Sequence, residues 1–180
     1  MRRHHVPPDE WQYRERSSDE VRGTLLRLTR DFVLAARQIP GVIRIALLGS
    51  LVTSKARPKD ADVLLSLRRP LDLGPLARLA RRFQGQAQAI NSTADVFLAT
   101  PGGEYLGRVC HYRECFPRRS CRARHCGAWP HLNDDLDVVA LPAATMAQPP
   151  LVLHPTVSAA ATVPDDVADL LLAPLGGANE

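Results

Sequence analysis

A small mixed sheet flanked by helices, an α/β (α+β) domain, is the fold class this sequence predicts. Three observations carry it. Val21, Leu25, Leu28, Phe32 and Ala35 recur at spacings of three and four, which makes one apolar helical face. "VIRIALL" (42–48), "DADVLLSL" (60–67) and "ADVFLAT" (94–100) are apolar runs of strand length bounded by turn residues. Between the second and third runs, Leu76, Leu79, Ala80 and Phe83 form a second helical face. Helix–strand–turn–strand–helix–strand is the alternation by which helices cover a sheet.

Taken in order, residues 1–16 mix His, Pro, charges and two aromatics, and read as a flexible arm docking through Trp11 and Tyr13. Ser17 and Ser18 offer a helix start, with Asp19 and Glu20 where negative charge favours the first turn. "IPG" (39–41) ends that helix. Residues 51–56 allow a short helix, "ARPKD" is a turn and Pro70 closes the second strand. The second helix is expected over 71–83, starting near Pro75, with "QAI" as a strand start. Residues 17–100 thus form the core. Residues 101–140 are a Cys/His/Arg-rich appended segment, and 141–180 a Pro/Ala-rich tail without Lys or Arg, holding one short helix near 165–173.

Composition narrows the functional classes. The chain has 180 residues, a formal charge of +4 and a pI near 9.2, the length of one domain with an appendage. Of its 23 basic residues only Lys55 and Lys59 are lysines, and guanidinium groups suit phosphate. No stretch has the uninterrupted apolar length of a membrane span. "MRRHH" leads into "VPPDEWQYRERSSDE" rather than an apolar signal region. A cytoplasmic location is therefore expected, where thiols stay reduced and serve as metal ligands or free thiols rather than disulfides.

The chemistry concentrates between residues 47 and 100. Gly49 and Ser50 follow a buried strand; after a nine-residue spacer Asp60 and Asp62 open the next. Residues i and i+2 of a strand share a face, so the two carboxylates point the same way and repel. A divalent cation relieves such a pair, as an arginine would, and Mg²⁺ prefers a few carboxylates, water and phosphate oxygens. Lys55, Arg57 and Lys59 lie between, available to screen phosphate charge. Asp95 stands where the third strand asks for an apolar residue. A plainer reading has Asp60 ending the turn and Asp62 capping it or pairing with Arg57.

"LLGS", the nine-residue spacer, "DADVLL" and the later "ADVFLA" resemble the nucleotidyltransferase superfamily that includes DNA polymerase β, and within it the minimal nucleotidyltransferases. The resemblance spans about residues 40–100. It implies a nucleotidyltransferase-like fold and transfer of a nucleotidyl group from an NTP such as ATP to an acceptor hydroxyl of RNA, protein or a small molecule. It further implies that Gly49 and Ser50 hold the triphosphate, that Asp60 and Asp62 bind two Mg²⁺ ions, and that Asp95 binds one metal and orients or deprotonates the acceptor. A toxin–antitoxin-type partner protein is common for small members. This chain departs from the minimal group in having "LVTSKA" where many carry a Gly-containing turn. The alternative expectation is a catalytically degenerate fold acting as a zinc-stabilised nucleic-acid-binding module.

That alternative draws on the second cluster. Cys110, Cys115, Cys121 and Cys126 follow the pattern C-x4-C-x5-C-x4-C, with His111, His125 and His131 among them. They are candidate ligands for a structural Zn²⁺, which orders segments too poor in apolar residues to build a core. Free or buried thiols are the other reading. The arginines at 108, 113, 118, 119, 122 and 124 would then form a patch for a phosphate backbone, or a solvated loop. Asn133 or Asp134 reads as a turn or cap residue; the other reading has Asp134, Asp135 and Asp137 offsetting the neighbouring arginines.

Overall fold

The computed structural model describes residues 17–111, 129–134 and 141–177. Helix α1 (Ser18–Ala36) begins where its N-cap dictates: Ser17 Oγ accepts the Glu20 N–H at 3.2 Å. Its buried face carries Leu25, Leu26, Phe32, Val33 and Ala36. Strand β1 (Val42–Leu48) follows, then a 3₁₀ turn (Gly49–Val52) and strand β2 (Asp60–Leu67). Helix α2 (Gly74–Gln88) crosses back over the sheet to strand β3 (Thr93–Ala99). Strands β4 (Tyr105–Val109) and β5 (Leu132–Asn133) come next. The chain closes with helix α3 (Ala143–Ala147), strands β6 (Leu151–His154) and β7 (Ser158–Ala159), and a helical run. That run comprises α4 (Asp165–Val167), a π-helical turn (Ala168–Leu172) and α5 (Ala173–Gly176).

Among the described residues the strands make one mixed sheet of seven, in the order β5-β4-β3-β2-β1-β6-β7. β2 and β3 are parallel, joined by the helical crossover such a pair needs. The other neighbours are antiparallel. Alternation along each strand sorts side chains between two faces. Ile45, Leu47, Ala61, Val63, Leu65, Leu67, Ala94, Val96 and Leu98 join the large core with α1, α2 and the C-terminal run. There Phe32 and Phe83 stack with ring centroids 4.9 Å apart, fixing α1 against α2. Ala46, Leu48, Leu64, Phe97 and Ala99 face the other way, where Met146 of α3 covers them. Among the described residues, no helix is long and apolar enough to cross a membrane.

The mixed α+β architecture and the first two strands match the sequence expectation. Elsewhere the structure differs, for physical reasons. α2 runs to Gln88 rather than 83, so "QAI" falls at a helix end; Ala-rich sequence sustains the helix, and buried Ala87 continues the face of Phe83. Asn133 belongs to β5, because β4 supplies a partner that no local signal announces. The stretch expected as a Pro/Ala-rich tail with one short helix also supplies β6, paired with β1, and then β7.

A part-buried ion pair ties the C-terminal run to the body. Arg22 of α1, only 5% exposed, donates through Nε to Asp166 Oδ2 at 2.5 Å and through a terminal nitrogen to Oδ1 at 3.1 Å.

Leu65 is fully buried at the middle of β2, between two paired strands. Leu65→Ala is expected to cost about 2–5 kcal/mol in urea-induced unfolding, the range for a core leucine replaced by a cavity.

Candidate active site

Period-two alternation answers why carboxylates stand in β2. Ala61, Val63, Leu65 and Leu67 take the helix-covered face. Asp60 and Asp62 therefore share the face of Leu64, at the end of the sheet where the small apolar cluster on that face stops. Parallel pairing sets Asp62 directly opposite Asp95. Phe97, two residues along β3 from Asp95, belongs to the same small cluster, so all three carboxylates lie on one face.

Their crowding is visible in Asp62. Its carboxyl is pushed up to about 6, first by burial, then by the charges of Asp60 and Asp95. β1 adds a tight neighbour: Leu48 pairs with Asp62, and Gly49 follows at φ 70°. A Cβ on Gly49 would lie 2.7 Å from Asp62 Oδ2. Glycine is required there both for the left-handed backbone and for room beside the carboxylate. Ser50 sits in the 3₁₀ turn, and its carbonyl accepts from the Thr53 N–H at 3.1 Å and from Thr53 Oγ1 at 2.8 Å.

The bases of the intervening loop are arranged differently. Arg57 donates from Nε to Ser18 Oγ at the start of α1, which is not the Asp62–Arg57 pair of the plainer reading. The Lys55 side chain is exposed, while its carbonyl accepts from Arg22 at 3.0 Å.

Asp95 has neighbours that sequence reasoning assigned elsewhere. An Arg108 terminal nitrogen lies 3.4 Å from Asp95 Oδ1, and His111 Nε2 lies 3.5 Å from the same oxygen. The other ring nitrogen of His111 is 2.8 Å from Gln84 Oε1 of α2. Burial holds His111 below the usual imidazole value, with Asp95 opposing that shift, so the ring is neutral at pH 7. Arg108 reaches the acids because β4 pairs it with Phe97, on their face. Gly107, at φ 123°, and the register shift between Leu98 and Ala99 hide β4 from a period-two reading.

Cys110 is buried at the end of β4, and its N–H donates to the His131 carbonyl at 2.7 Å. The zinc expectation also needs Cys115, Cys121 and Cys126, which lie outside the described residues. Among the described residues, no group of three or more His, Cys, Asp or Glu side chains is placed to hold a metal ion. The three aspartates share a face without converging on one point.

Comparison of the chain with protein-family models, curated proteins and solved structures gives no match.

Two outcomes follow from this geometry. The native state keeps the Asp62 proton between the ordinary carboxylate value of 3.8 and about 6, where the unfolded chain has lost it. Stability contributed by this group is thus full at low pH and falls as pH rises through that window. In metal-free buffer, Asp62→Asn should stabilise the protein by about 1 kcal/mol at pH 8, a figure reduced for solvent screening on the open side, and by almost nothing at pH 4. Denaturant titrations at the two pH values check this. Gly49→Ala should destabilise by about 1–2 kcal/mol in the same assay, from backbone strain and displacement of Asp62.

Proposed function

We propose that the protein is a metal-dependent nucleotidyltransferase, moving a nucleotidyl group from an NTP to an acceptor hydroxyl. The observation that carries this reading is the meeting of Asp62 with Asp95 in register, beside Asp60 and against a glycine that leaves room for nothing larger. A structural role gives no reason to crowd three like charges on one open sheet face.

The donor chemistry fits Mg²⁺: hard carboxylate oxygens, one of them reluctant to ionise because of its neighbours. In this conformation the fit is one of donor type, not of a preformed coordination shell. Asp60, Asp62 and Asp95 are the residues that would hold two Mg²⁺. Bound there, the ions would offset the mutual repulsion and supply positive charge for the transferring phosphate. Gly49 and Ser50 contribute backbone N–H groups and a hydroxyl that an anionic triphosphate can approach. Asp95, beside Arg108 of β4, is the carboxylate assigned to orient the acceptor hydroxyl. Since an NTP brings its own charge and leaving group, the protein's share of the work is positioning. An arginine-rich chain suits RNA as acceptor.

One observation favours a second reading. Asp95 already has the Arg108 guanidinium beside it, so its charge is answered without a metal. A degenerate nucleotidyltransferase fold that binds nucleic acid without transfer would keep such a pairing.

Incubation with labelled NTPs, Mg²⁺ and RNA or cell lysate separates the two. The transferase reading expects label on an acceptor, lost by about a hundredfold or more in Asp60→Ala and in Asp62→Ala, the scale set by removing a group that stabilises transition-state charge. RNA binding that persists in both variants, with no label on any acceptor in the wild type, overturns it in favour of the binding module.

A further inference from the structure

The buried guanidinium of Arg22 does more than bind Asp166. Another of its N–H groups donates to the Lys55 carbonyl at 3.0 Å, and a further one reaches the Leu51 carbonyl at 3.4 Å. Leu51 lies two residues after Gly49, inside the 3₁₀ turn, and Lys55 lies four residues further on. One side chain therefore grips both limbs of the loop that leaves the acidic site. Within the loop, Thr53 Oγ1 donates to Ser50 O and accepts from the Lys55 N–H at 3.3 Å, so what Arg22 holds at two points is a closed, hydrogen-bonded turn.

A guanidinium with three nitrogens in a fixed plane transmits orientation: where Asp166 sets its fork, the remaining N–H groups point in fixed directions. Asp166 comes from α4, at the head of the C-terminal run, and Arg22 from the second turn of α1. Arg22 depresses the Asp166 carboxyl below its usual range, in keeping with a close ion pair. An arginine buried only to pack a helix pair has no need of two carbonyls 29 and 33 residues further along the chain.

We propose that Arg22 and Asp166 are positioning residues for the Gly49–Lys55 loop, through which the C-terminal helical run sets the shape of the nucleotide-phosphate site. This rests on the reading of Gly49 and Ser50 as the triphosphate contact. Neither residue touches substrate; both act through the Leu51 and Lys55 carbonyls. Loss of the C-terminal run would then loosen the loop while the sheet beneath it stays intact.

The test uses the full chain and the double variant Arg22→Met/Asp166→Leu, in which both charges are replaced together by side chains of similar bulk. Removing one partner alone strands a buried charge, whereas replacing the pair often leaves stability unchanged. Hydrogen exchange then reads the loop at the Thr53 and Lys55 amides and the sheet at the amides of β2 and β3. The expected result is exchange at least tenfold faster in the loop with sheet protection kept, and MgATP affinity by calorimetry at least tenfold weaker. Unchanged loop exchange overturns the proposal. So does acceleration shared equally by loop and sheet, which marks the pair as a general stability element. If the wild type binds no nucleotide, the phosphate reading falls, and the exchange data alone decide whether the C-terminal run governs the loop.

Discussion

Everything at the acidic site depends on the two-residue period of β2 and β3. Once Val63, Leu65, Val96 and Leu98 are committed to the helix-covered core, Asp60, Asp62 and Asp95 have only the opposite face to occupy. Shifting either strand by one residue would bury carboxylates under α1 and α2 and expose the core leucines. Each buried leucine or valine is worth about 1.5–3 kcal/mol. Several of them together outweigh the repulsion among three partly solvated acids. The hydrophobic core thus imposes the electrostatic arrangement, and the protein carries the cost as a carboxyl at Asp62 that resists ionisation.

That cost is managed asymmetrically. Asp95 has the Arg108 guanidinium, whereas Asp62 has Gly49, which supplies space but no side-chain charge. The half of the site nearest β1 is consequently short of positive charge, and the half nearest β4 is provided for. Under the transferase reading this asymmetry has a use: a nucleotide with its cations would enter on the Gly49–Asp62 side, where the deficit lies. The acceptor would then sit on the Asp95 side, near protein groups that do not leave with the product.

Much of this was legible in the chain because it is encoded locally. The limits of β1 and β2 follow from their apolar runs, the start of α1 from Ser17, and the sharing of a face by Asp60 and Asp62 from their spacing alone. What the sequence concealed depends on pairing between distant segments. β4 is interrupted by Gly107 at a bulge, so Arg108 read as one arginine of a basic segment rather than as the partner of Asp95. β5 is two residues long and exists only because β4 lies beside it. β6 is a four-residue run in Pro- and Ala-rich sequence, made a strand by the free edge of β1. Arg22 showed no signal at all: it occupies a polar position in an amphipathic helix, and only its burial reveals that it has a purpose.

The C-terminal segment therefore has a double attachment whose parts reinforce each other. β6 completes the sheet at the β1 edge, and the helical run beyond it returns across α1 to bring Asp166 to Arg22. β1 leads directly into Gly49, and Arg22 holds the loop that follows. The same stretch of chain thus braces both the strand that delivers the glycine and the turn that leaves it. The loop that leaves Gly49 carries Lys55, Arg57 and Lys59, so the field of the three carboxylates draws its charges inward without fixing the path of its backbone. Anchoring that backbone through a guanidinium shielded from solvent and salt fixes the path where a surface contact would be screened away.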